Sequence, residues 1–206
     1  MPATKPKIDE REVRTLHRSL ETRAAAEDGL PTAAGYAVLF NAETNIGDYF
    51  REKIAPGAFS QSLNSRDVIA VHSHDTGRVV GRTGAGTLTL REDDTGLSFE
   101  NPLPDTTDGR DLAVQIARGD IPGMSFCFRS KREEWDETVT PPLRTILEAD
   151  IYEITYSAMP AYPDTSVGLR SLEHARQEQR GTSPGSAEIC NAARRARLAQ
   201  IERGIH

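Results

Sequence analysis

Between Ile121 and Phe128 the chain alternates. Met124, Phe126 and Phe128 interleave with Ser125 and Cys127, the period-two pattern of a strand with two unlike faces. The three large apolar side chains share one face, and Ser125 and Cys127 share the other. Gly123, just before, permits a close approach to the backbone. Similar patterns predict strands at Tyr36–Phe40, Asp67–His74 and Ile146–Met159. Thr87–Arg91 and Gly96–Glu100 flank Glu92-Asp-Asp-Thr95, the turn of a hairpin. Asp105-Thr-Thr-Asp108 can cap a helix whose apolar face holds Leu112 and Ile116 and which ends at Gly119. The acidic segment Glu133–Glu137 with Pro141-Pro142 reads as an exposed hairpin tip.

These elements predict a mainly β core with helices (α+β), of about six or seven strands and one or two helices, as in a small closed barrel. The ends differ from the core. Residues 1–33 read as an N-terminal arm; Val13, Leu16 and Leu20 give Glu10–Ala26 a thin helical face, so a helix or a loosely docked arm is expected. Residues 34–170 form the domain. Residues 171–206 read as a linker (Arg180-Gly-Thr-Ser-Pro-Gly185) followed by a helical tail with arginines at 194–197.

Composition narrows the function. A net charge of −6 argues against nucleic acid as partner. No apolar run reaches the roughly 18–20 residues of a membrane span, and no signal-like apolar core follows the N-terminal basic residues, which argues against export. The two cysteines, Cys127 and Cys190, are too few and too far apart for a disulfide framework, which fits a reducing cytosol.

Five histidines occur, and only His72 and His74 fall within the core. As an i, i+2 pair on a strand they would share one face. That arrangement suits a metal site completed by Asp75 or Glu153. It equally suits a general base beside a nucleophile, and a structural histidine at a strand end needs neither. Ser125 lies outside any Gly-x-Ser-x-Gly elbow, and Cys127 competes with it as a nucleophile. Glu153 must be paired, whether with an imidazole or an arginine, or exposed. The glycines of Gly81–Gly86 come without the lysine of a phosphate loop and open no helix.

Taken in order, several segments resemble one family. They are Gly35–Asn41, Glu52–Phe59, His74-Asp75 followed by Val80–Thr83, Gly96–Phe99, Gly119–Phe128 with its Gly-Met-Ser-Phe, and Tyr152-Glu-Ile-Thr with Pro160-Ala-Tyr-Pro163. The set is similar to the prohead proteases of tailed bacteriophages, the capsid-maturation serine peptidases, over roughly residues 35–170. The resemblance implies a closed β-barrel with surrounding helices, like that of the related herpesvirus assemblin proteases. It implies Ser125 as nucleophile, His74 as base and Glu153 as the acidic third member, with His72 the alternative third member. It implies no cofactor or metal. The implied partners are the major capsid protein with its scaffolding segment, or a separate scaffold, and the protease itself. The implied location is the assembling prohead in the bacterial host cytoplasm. The chain departs from the family in having His72 where an apolar residue is usual and Cys127 where glycine is usual. A second class stays open, a capsid-assembly or scaffold module that keeps the fold without activity. Backbone N–H groups near Gly81–Gly86, Arg82 or Arg129 are candidate oxyanion donors.

Overall fold

The computed structural model describes residues 11–17, 20–23, 31–158, 172, 173 and 176. The chain divides into two compact units, Met1–Thr165 and Ser166–His206. The elements between Glu12 and Ser157 all lie in the first unit. The expected linker at 180–185, the tail helix at 187–203 and Cys190 lie outside the described residues. No helix among the described residues is long and apolar enough to cross a membrane.

In chain order the elements are β1 (Glu12–His17), β2 (Leu20–Arg23), β3 (Thr32–Leu39), β4 (Thr44–Ile46), β5 (Phe50–Ile54) and α1 (Ser60–Ser65). Then come β6 (Ile69–His72), β7 (Asp75–Arg82), β8 (Thr89–Glu92), β9 (Gly96–Pro102), α2 (Thr107–Arg118), β10 (Gly123–Asp136) and β11 (Leu143–Ser157). Helix α2 starts where a cap is available: Thr106 accepts a hydrogen bond from the Gly109 N–H at 3.2 Å. It stops at Gly119, whose φ of 80° suits a residue without Cβ.

The hairpin of β10 and β11 is the frame. Alternate β10 residues Met124, Phe126 and Phe128 are buried in the core with Ile154 and Tyr156 of β11. β11 then serves two neighbours in turn: Leu143–Ile146 run parallel to β5, and Glu153–Tyr156 run parallel to β6. With β1 on the far side of β10, and with β4 and β7, this makes a seven-stranded sheet. A second sheet has the order β2-β3-β9-β8. Ala33, Leu97 and Phe99 of the second sheet join the same core, where the Phe99 and Tyr156 rings meet edge to face at 6.0 Å.

The described strands do not show the expected closed barrel. Closure needs one continuous hydrogen-bonded ladder, whereas the described strands form two separate ladders, one sheet of seven strands and one of four. The α+β class stands.

One further expectation changes and another holds in part. In the arm, the described parts of Glu10–Ala26 are strands, with β1 laid antiparallel on β10 and β2 on β3. The acidic run does lie beside the 137–142 turn of the β10–β11 hairpin, with Glu134 and Asp136 exposed at the end of β10, but Glu133 is half-buried. Glu133 accepts a hydrogen bond from Arg144 at 2.9 Å.

Arg144 is the centre of a buried ionic cluster. It is 1% exposed and donates to Glu12 at 2.7 and 2.9 Å and to Glu52 at 2.9 Å. Arg14 donates to Glu52 at 2.7 Å and to Glu12 at 2.7 Å. Burial alone would weaken charge on Arg144, but its three carboxylate partners reverse this and hold the guanidinium charged. The cluster joins β1, β5, β10 and β11. Strand alternation puts Glu12 and Arg14 on one face of β1 and Val13 and Thr15 on the other.

Candidate active site

The connection between β6 and β7 has only two residues, Ser73 and His74, with His72 opposite Asp75. Both have left-handed backbones, φ 54° and 58°, as a tight type I′ hairpin turn requires. Glycine or asparagine is the usual occupant, and a histidine there costs about 1–2 kcal/mol. Such outliers gather at functional sites. The Ser73 N–H donates to the Tyr156 carbonyl at 3.0 Å, which ties the turn to β11.

The turn puts the His74 imidazole against Glu153 and Thr155, which alternate onto one face of β11. Nδ1 of His74 is 2.7 Å from Oε1 of Glu153. The Thr155 hydroxyl donates to the same Oε1 at 3.0 Å and lies 3.3 Å from Nδ1. Burial pushes the Glu153 carboxyl up, but the hydrogen bonds from His74 and Thr155 outweigh it and hold the group below its ordinary value. Glu153 is therefore a carboxylate at neutral pH. It accepts the Nδ1–H and leaves Nε2, in the neutral ring, with a lone pair. That Nε2 is buried and has no hydrogen-bond partner.

Ser125 stands on the same side. In the ladders Thr15, Ser125, Thr155 and Val71 are successive cross-strand partners on β1, β10, β11 and β6. Ser125 is fully buried, and its Oγ lies 2.6 Å from Oγ1 of Thr15. Its hydroxyl is thus bonded to Thr15 rather than to His74. Cys127, two residues on, is the register partner of Glu153.

His72 goes elsewhere. The strand ends at His72, so the i, i+2 rule does not carry across the turn to His74. The register partner of His72 is Tyr156, a core residue, and cross-strand partners share a face. Burial, then Arg78, depress its basicity against the opposing pull of Asp108 and Asp111. The expected shared face of the two histidines is therefore corrected, and with it the geometry for a joint metal site. No group of three His, Cys, Asp or Glu among the described residues could hold a metal ion.

The candidate oxyanion donors are engaged elsewhere. Arg82 and the Gly84 N–H both bind Asp67, at 2.6 and 2.8 Å, and Arg129 lies 3.9 Å from Asp150. Sequence reasoning missed Thr15 and Thr155. Thr155 was visible as the alternate neighbour of Glu153. Thr15 was hidden in a segment whose apolar spacing suggested a helix.

The family described as caudovirus prohead serine protease matches residues 18–179. No curated protein matches the chain. Among solved structures, the bacteriophage T4 capsid assembly protease, gp21, is 9% identical with a TM-score of 0.48, covering 71% of this chain and 97% of that one. The family match takes in β2 through β11, and with it His74, Ser125 and Glu153. This chain therefore belongs to the caudovirus prohead serine proteases and is a serine peptidase of capsid maturation.

Proposed function

We propose that Ser125 is the nucleophile, His74 its general base and Glu153 the carboxylate that orients the base. The substrate is the scaffolding segment of the major capsid protein, or a separate scaffold, and the protease also cleaves itself. The observation that carries this reading is the 2.7 Å contact of His74 Nδ1 with Glu153, which leaves Nε2 unpartnered. The family match supports a substrate among the capsid proteins of the prohead.

The chemistry is acyl transfer to water. The Ser125 hydroxyl turns from Thr15 to His74 Nε2, exchanging one hydrogen bond for another. Its proton passes to Nε2 as Oγ bonds to the peptide carbonyl carbon. The tetrahedral adduct collapses, the C–N bond breaks, and Nε2–H protonates the leaving amine. Water then attacks the acyl-enzyme, giving its proton to Nε2, and Ser125 leaves with that proton. Glu153 stays ionised throughout and stabilises the imidazolium. His72 is no third member in this scheme, because it faces the core beside Tyr156.

One observation favours the second reading, a scaffold module without activity: Ser125 is fully buried and bonded to Thr15. A fluorophosphonate, which phosphonylates activated serines, separates the two. Peptide mapping of the labelled protein is expected to place the group on Ser125. Glu153→Gln should slow labelling by up to about 10⁴-fold, because an amide can present its N–H₂ to Nδ1 and favour the wrong tautomer. Absence of label at Ser125, or label at Cys127 instead, rejects the catalytic assignment.

A further inference from the structure

We propose that Thr155 is a positioning residue: its hydroxyl holds the Glu153 oxygen that receives the His74 Nδ1–H, and so decides which imidazole nitrogen is left for Ser125. The inference rests on the catalytic reading above and adds a fourth side chain to it.

Glutamate has three rotatable side-chain bonds, so a strand position does not by itself fix where its carboxylate points. His74 is held by a turn in a strained left-handed backbone, not by a regular strand. Two adjustable groups must therefore meet at 2.7 Å. Thr155 supplies the fixed point. It is fully buried, it is β-branched and stiff at χ1, and it sits between Ser125 on one side and Val71 on the other.

The hydrogen-bond directions are then determined. Glu153 is ionised and only accepts, so the Thr155 hydrogen goes to Oε1 at 3.0 Å. The Thr155 oxygen, 3.3 Å from Nδ1, then turns a lone pair toward the ring. Nδ1 faces two acceptors and must carry the proton. Without the hydroxyl, one of the two acceptors near Nδ1 is gone and the carboxylate is free to swing.

The test uses the whole protein with ¹⁵N-labelled histidine. Long-range proton–nitrogen NMR correlations report the tautomer of His74, and the fluorophosphonate reports the reactivity of Ser125. Wild type and Thr155→Ser should both show the Nδ1–H form and similar labelling rates. Thr155→Val keeps the shape and removes the hydroxyl; it should populate the Nε2–H form and slow labelling about 10- to 100-fold, the effect of one hydrogen bond to a charged group. If Thr155→Val does not fold, Thr155→Ala makes the same deletion without added bulk.

A wild-type tautomer and rate in the hydroxyl-free variant overturns the proposal. So does a Thr155→Ser variant as impaired as Thr155→Val, since that would indicate packing. If Ser125 is unlabelled in every variant, the catalytic reading falls. The tautomer of His74 then still decides whether Thr155 positions the pair.

Discussion

Ser125→Ala is expected to abolish cleavage, with a rate loss of about 10⁴–10⁶ while the fold survives. The size comes from removing the only protein atom in the scheme that bonds to the substrate carbon, since removing a serine peptidase nucleophile costs about as much as removing its whole triad. What survives is substrate binding and any oxyanion stabilisation. Survival of the fold is expected from the surroundings. Among the described residues the Ser125 side chain makes one hydrogen bond, to Thr15 at 2.6 Å, and such a bond is worth about 0.5–1.5 kcal/mol net. Alanine fills most of the same buried volume. Co-expression with the capsid protein, followed by intact mass spectrometry of both chains, reads the outcome directly. Shortened products should form with wild type and not with Ser125→Ala. Equal processing by both would remove Ser125 from the mechanism and turn attention to Cys127 on the same face.

Arg144→Met is expected to produce the largest loss of stability, about 3–5 kcal/mol, the usual effect of removing one partner from a buried ionic network. Arg144 serves Glu12, Glu52 and Glu133 at once and is 1% exposed. Arg14 alone cannot neutralise the three carboxylates left behind. The change should appear as a lower midpoint of chemical denaturation. It should also loosen β1, since Glu12 and Arg14 hold that strand through the same cluster.

Acid should narrow the difference between the two proteins. Burial raises the Glu133 carboxyl, but Arg144 outweighs burial and leaves it below its ordinary value. A carboxylate depressed in the folded state contributes stability that is fully present above its unfolded pKa, about 4.3. That contribution is lost as pH falls through the lower folded value. The gap between wild type and Arg144→Met should therefore be widest near neutrality and shrink below about pH 4. A gap that stays constant through that range would show that the ion pairs with Glu133 do not contribute.

Local pattern was enough for the elements that carry their own signals. β10 could be read from the alternation of Met124, Phe126 and Phe128, and β11 from its long apolar run. α2 could be read from its cap, its apolar face and Gly119. The ordered motifs that contain His74, Ser125 and Glu153 were also legible, because each is a short contiguous string. β1 was not. Val13, Leu16 and Leu20 have helical spacing, but Val13 and Leu16 form strand against Cys127 and Met124, far along the chain. The edge of β10 supplies the backbone partners of β1, and the cluster around Arg144 pairs the buried Glu12 and Arg14.

The same division runs through the site. The chain alone specified that Ser125 and Cys127 share a face, because alternation along a strand is a local property of the backbone. It also marked Glu153 as a carboxylate in need of a partner. Which partner it took was a tertiary outcome. A two-residue turn sends His74 to Glu153 and leaves His72 facing the core. The parallel ladder of β6 on β11 brings that turn to Thr155 and the strand bearing Ser125. Hydrogen-bond register between distant strands sets these distances, and no local pattern encodes it.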